Sequence, residues 1–124
     1  MIKILVDSDV IPASRPKFGR GRAYIPKRNQ DFQRIVQAAA RSAMKDRKPL
    51  DGEICAVVKI YRKWKRTARQ SGDLDNLLKG IWDSMTGIIF RDDAQIVRCV
   101  AEKFQDKEHP RAEIEIGILE TNKS

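Results

Sequence analysis

Apolar positions recur along this chain in two rhythms, alternate residues and steps of three and four, and the switches between them mark out the elements. Ile2 to Val6 alternates as a strand that can extend to Ile11. Pro12 and Pro16 end it, because proline has no N–H to give to a sheet ladder. Phe18-Gly-Arg-Gly-Arg-Ala-Tyr-Ile predicts a hairpin around its two glycines. Phe32, Ile35, Val36, Ala39, Ala40 and Ala43 share one helical face, with Asn29 or Asp31 as the start and Pro49 beyond the end. Glu53 to Tyr61 reads as a strand with Ile54, Ala56, Val58 and Ile60 on one face and Cys55 and Val57 on the other, so both faces are expected to be largely covered.

The pattern then returns to helix. Leu74, Leu77, Leu78, Ile81, Trp82 and Met85 form one apolar stripe, and Gly87 is placed to stop the helix in a left-handed cap. Ile96 to Phe104 alternates as a strand. After a turn at 107–110, Ala112, Ile114, Ile116 and Ile118 alternate with Glu113, Glu115 and Gly117, a strand with one wet face. Strand, helix, strand, helix, strand, strand predicts an α+β fold, a mixed sheet with two α-helices packed on it. A length of 124 residues suits a single domain over 1–124 with a core of its own.

Charge changes the picture more by position than by amount. The formal net charge is +8. Residues 10–30 hold Arg15, Lys17, Arg20, Arg22, Lys27 and Arg28 without an acid, and residues 62–72 hold Arg62, Lys63, Lys65, Arg66 and Arg69 without an acid. Elsewhere fourteen Lys and Arg face seventeen Asp and Glu, a balance of −3. Two basic segments in an otherwise slightly acidic chain suit a polyanion, with these eleven residues as candidate nucleic-acid contacts. Solvated basic loops are the plainer alternative. Phe18 and Tyr24 lie among the first set and suit either a nucleic-acid contact or the edge of the core.

Other chemistries find little support. Cys55 and Cys99 lie in strands without metal-ligand spacing and read as buried, reduced thiols of a cytoplasmic protein, a disulfide being the outside alternative. No stretch approaches a membrane span, and the N-terminus turns acidic too soon for a signal peptide. His109 is the only histidine and sits beside Pro110 in a turn, a poor place for a general base.

The informative stretch is 72–93. It opens with Asp73 and Asp75 and closes with Asp92 and Asp93, with the second helix between them. A helix followed by a return turn can bring its own start near residues about twenty positions later, so the two acidic pairs are expected to share one site, with Lys79 a turn inside the helix. Clustered carboxylates repel unless a cation relieves them, and Mg²⁺ takes one or two carboxylates together with substrate phosphate. Lys79 adds a positive charge that a phosphate can use. The competing explanation is that Asp73 only caps the helix and Asp92–Asp93 only make a polar turn.

Asp-Leu-Asp-Asn-Leu-x-Lys from Asp73, Asp-Ser-Met-Thr near the helix end and Asp-Asp-Ala-Gln-Ile-Val from Asp92 resemble the RusA family of Holliday junction resolvases. The resemblance is closest over 73–97 and compatible elsewhere. It implies a RusA-like fold, with Asp73, Asp75 and Asp93 as catalytic metal ligands, Asp92 as the paired acid and Lys79 as the functional lysine. The span between helix and acidic pair is shorter than the family pattern, which leaves the choice between Asp92 and Asp93 open. The activity implied is an endodeoxyribonuclease that uses Mg²⁺, or Mn²⁺, to cut branched DNA, chiefly four-way junctions, in recombination and repair. It would act in a bacterial or phage setting. Paired symmetric nicks need two active sites, hence a homodimer with two-fold symmetry. A non-catalytic nucleic-acid-binding protein and a nuclease for flaps, forks or RNA structures are the alternatives.

Overall fold

The computed structural model describes residues 1–14, 17–64, 67 and 72–120. Four strands form one sheet: β1 (Ile2–Val6), β4 (Ile54–Arg62), β5 (Ile96–Gln105) and β6 (Arg111–Ile118). Two short strands, β2 (Lys17–Gly19) and β3 (Arg22–Tyr24), make a separate ribbon. The helices are α1 (Lys27–Met44) and α2 (Leu74–Met85), and a 3₁₀ turn at Asp93–Gln95 leads into β5. The order across the sheet is β1-β6-β4-β5. β6 is antiparallel to both neighbours, whereas β4 and β5 are parallel, so β4–α2–β5 is a crossover unit. The expected single α+β domain with a mixed sheet and two helices is observed.

Register explains where the core lies. Ile4 pairs Ile114, which pairs Val58; Ile2, Ile116 and Ala56 make a second row, and Val6, Ala112 and Ile60 a third. These residues are buried, as are Phe32, Val36, Ala40 and Met44 of α1 and Leu77, Ile81, Trp82 and Met85 of α2. Strand side chains alternate across the sheet, so all three rows face the same way and both helices cover that side. The other side carries Lys3 paired with Glu115, Tyr61 stacked on Phe104, and the Arg111 guanidinium 3.8 Å from the Tyr61 ring centre. Val57 is half-buried and Lys59 exposed there, so β4 is covered on one face rather than two. At the β5–β6 turn, the His109 N–H and then the Arg111 side chain bond Asp106 and hold its carboxyl below the usual carboxylate range.

Several local expectations change. Helix α1 starts two residues before Asn29, at Lys27, with Pro26 in the capping position. The Asn29 side chain instead donates to the Pro12 carbonyl at 2.9 Å, so a long-range contact takes the group that would have capped the helix. Ile35 is 42% exposed, and Met44 completes the buried stripe at four-residue steps. Helix α2 ends at Thr86, whose backbone is extended and whose hydroxyl donates to Trp82 O; Gly87, at φ 90°, donates its N–H to Phe90 O in the following turn. Cys55 is half-buried, while Cys99 is exposed because β5 is an edge strand; both thiols are free.

The segment after β1 crosses α2 in close contact. Ala13 N–H donates to Asn76 O at 3.1 Å, and a β-carbon on Gly80 would lie 2.8 Å from Ile11 O. Glycine is what allows this approach. The strap thereby fixes α2 and also leads the chain into the β2–β3 ribbon, whose two-residue turn has positive φ at Arg20 and Gly21, the geometry that matches strand twist.

Candidate metal and nucleic-acid site

Helix α2 begins at the end of β4 and runs back past the sheet toward the start of β5. Asp73 occupies its capping position with an extended backbone, yet its side chain makes no cap hydrogen bond. Asp75 lies in the first turn, where the positive end of the helix dipole favours a carboxylate. Both are exposed, and among the described residues neither side chain makes a hydrogen bond or an ion pair. Asp73, Asp75, Asn76, Lys79 and Lys103 line one open cleft. The capping explanation for Asp73 therefore fails at the level of its side chain, and two carboxylates without a partner among the described residues share a cleft with two lysines.

Lys79 pairs with Asp83 at 3.6 Å, one turn on, with both side chains largely exposed. Exposed pairs at this spacing contribute only about 0.3–0.5 kcal/mol, so an arriving phosphate can compete for the ammonium. Lys103 was not among the residues singled out from sequence. Register places it beside Ile60, on the helix-covered side of β5, and its ammonium donates to Gly72 O at 2.7 Å. Gly72 has φ 89° and immediately precedes Asp73. A signal was present: Lys103 has the same parity in β5 as Cys99 and Ala101, so alternation puts a cation where small apolar groups face the helices.

Asp92 and Asp93 lie elsewhere. Asp92 accepts from Ala94 N–H at 2.9 Å, and the Gln95 side chain returns to Asp92 N–H at 3.0 Å, a reciprocal capping box. Gln95 also donates to Leu50 O and Gly52 O, tying this turn to the approach to β4. Asp93 is half-buried and, among the described residues, has no side-chain partner. The expectation that both acidic pairs meet in one protomer is not met. Helix α2 is 12 residues long, about 18 Å. Its return turn closes at Phe90 against Thr86, so Asp93 enters β5 at one end while Asp73 sits level with Lys103 near the other. Among the described residues no group of three or more His, Cys, Asp or Glu could hold a metal ion. Asp73 and Asp75 nevertheless fit a hard divalent cation: both are carboxylate oxygen donors without a side-chain partner among the described residues, and Mg²⁺ fills its remaining positions with water and phosphate oxygens.

The candidate DNA contacts divide three ways. Lys17, Arg20 and Arg22 are exposed on the ribbon, and Lys27 and Arg28 are exposed in the first turn of α1, where cations oppose the helix dipole but can meet an anion. Lys63 is exposed past β4. Arg62 departs from expectation: its side chain is only 11% exposed and bonds Asp9 through Nε at 3.0 Å and Nη2 at 3.3 Å. It joins the end of β4 to the segment after β1 rather than facing solvent. Arg15, Lys65, Arg66 and Arg69 lie outside the described residues. A groove lined by Ile11, Asn29, Phe32, Asn76, Lys79 and Asp83 adjoins the acidic cleft through Asn76 and Lys79 and reaches the ribbon base at Ile25.

The pattern of the family described as Endodeoxyribonuclease RusA matches residues 7–117. The chain belongs to the RusA endodeoxyribonuclease family. The match takes in the acidic cleft, α2 and both acidic pairs. Membership in the RusA family implies endodeoxyribonuclease activity of the Holliday junction resolvase kind and binding of branched DNA. The chain is also 27% identical over 136 residues to the Uncharacterized protein YqaN of Bacillus subtilis (strain 168), covering 93% of this chain and 94% of that protein. No helix among the described residues is long and apolar enough to cross a membrane.

Proposed function

We propose that this RusA-family chain is a Mg²⁺-dependent endonuclease that resolves four-way DNA junctions by paired symmetric nicks, as a cytoplasmic homodimer in recombination and repair. The observation that carries the reading is the pair of exposed carboxylates Asp73 and Asp75, without side-chain partners among the described residues, beside Lys79 and Lys103. Asp73 and Asp75 would hold the ion, with Mn²⁺ as a substitute. When bound, such an ion supplies acidified water and stabilises charge on the leaving oxygen. Lys79 moves from Asp83 to the scissile phosphate, where charge builds during cleavage, or orients the attacking water. Lys103 holds Gly72, and so the backbone on which Asp73 stands.

In this reading the second acidic pair acts across the dimer. With Asp93 at the far end of α2, two-fold pairing with the helices antiparallel returns one protomer's Asp93 to the partner's Asp73 and Asp75. Asp93 is favoured over Asp92 because the Asp92 carboxylate already serves its capping box.

The test is a cleavage gel with synthetic four-way junction, linear duplex, flap and single strand, each in EDTA, Mg²⁺ or Mn²⁺. Nicks confined to the junction and dependent on metal are expected. Binding without cleavage in either metal would leave a non-catalytic DNA-binding protein, and preferential cutting of flaps would change the substrate.

A further inference from the structure

The β2–β3 ribbon projects one aromatic side chain that the fold leaves uncovered. Phe18 is 83% exposed, the most exposed of the large apolar residues. Its cross-strand partner is Ala23, too small to cover a phenyl ring. Lys17, Arg22 and Tyr24 share the opposite face of the ribbon, where the Tyr24 ring lies against Gly19. Every residue of both strands is exposed, so no core stands behind the ring. A two-stranded ribbon with so little burial is marginal alone, and its base is held by Gln30 to Ile25 O and by Asn29 to Pro12 O.

We propose that Phe18 stacks on a base left without a neighbour at the branch point of the DNA junction, and so contributes recognition of branched over linear duplex. The proposal rests on the junction-nuclease reading above. Branch points expose base faces that continuous duplex keeps stacked, and an aromatic ring binds such a face without regard to sequence. Arg20 in the turn, and Lys17 and Arg22 on the ribbon's other face, are exposed and add charge for the flanking phosphates. The groove that starts at Ile25, at the ribbon base, runs to Asn76 and Lys79, where it meets the acidic cleft.

The test measures binding in EDTA, so it reads independently of cleavage. Phe18→Ala is expected to weaken junction binding about tenfold, near the 1.4 kcal/mol of one base stack, and linear duplex binding by less than about twofold. Phe18→Trp should retain the junction affinity. Abasic sites at the branch point should weaken the native protein and erase its difference from Phe18→Ala, as a pairwise coupling requires. Equal loss on junction and duplex, or no loss on either, would overturn the proposal. So would a Phe18→Ala protein that becomes monomeric in sedimentation, because the ring would then serve a protein interface. If the native protein cuts nothing yet shows the abasic coupling, the nuclease reading fails and the stacking contact stands.

Discussion

The two acidic pairs at the ends of helix α2 are built from the same side chain in opposite circumstances. Asp73 and Asp75 are exposed at the helix start, their carboxylates make no bond to the described residues, and they share a cleft with Lys79 and Lys103. Asp92 is held in a capping box and Gln95 binds that turn to Leu50 and Gly52, leaving Asp93 as the acid of the pair without a side-chain partner among the described residues. Among the described residues, one end of the helix leaves its carboxylates without a direct bond, and the other spends one of its two on local structure. An unanswered pair close together tends to repel and to favour a cation, whereas an acid in a capping box has already found its hydrogen bonds. Adjacency in sequence to a motif therefore says less about a carboxylate's role than what its oxygens already touch.

The sharpest way to break this comparison is at Asp73 and Asp75. Asp73→Asn or Asp75→Asn should lower junction cleavage by at least about a hundredfold while junction binding persists or tightens, because charge near the phosphates is removed. Full cleavage by either variant would end the assignment. Asp93→Asn should lose cleavage as well. Mixing inactive Asp73→Asn and Asp93→Asn proteins should restore about a quarter of the native nicking if the site is shared across the dimer, because each mixed dimer keeps one intact pairing. No recovery after demonstrated subunit exchange would place both acids in one protomer's site.

Smaller effects sharpen the contrast. Lys103→Met should reduce kcat by about ten- to a hundredfold with KM and Tm little changed, since it acts by holding Gly72 and hence Asp73; Lys103→Arg should recover part of the loss. A fall in Tm as large as the fall in rate would make Lys103 merely structural. Arg22→Ala should weaken binding of junction and duplex alike and reduce the log–log salt slope by about 0.9, one phosphate contact. Asp92→Ala should cost about 1 kcal/mol of stability, read as a Tm lower by about 4 °C, while Asp92→Asn keeps the cap and the Tm. Loss of cleavage in Asp92→Asn at unchanged Tm would return Asp92 to the metal.

Elements governed by local pattern were legible in the sequence. Alternation marked β4, β5 and β6, helical spacing marked both helices, and the glycines marked the ribbon. The acids, the lysine and the two basic segments were also visible as residues. What the chain did not disclose are contacts between distant parts. β6 inserts between β1 and β4, which no periodicity encodes. Arg62 reads as one more cation of a basic run until Asp9, 53 residues away, meets it. The α1 start moved because Asn29 answers Pro12 rather than its own helix. The acidic pairs looked convergent because spacing alone ignores that a 12-residue helix must be travelled before the chain can turn.

Gly80 carries a mechanical consequence. With Ile11 O seated where a methyl would go and Ala13 bonded to Asn76, the strap before the ribbon lies directly on the helix that bears Asp75 and Lys79. A shift of the strap is thus felt by that helix close to its acidic end. Gly80→Ala would pry the two apart, so a single missing methyl couples the strap to the helix that carries Asp75 and Lys79.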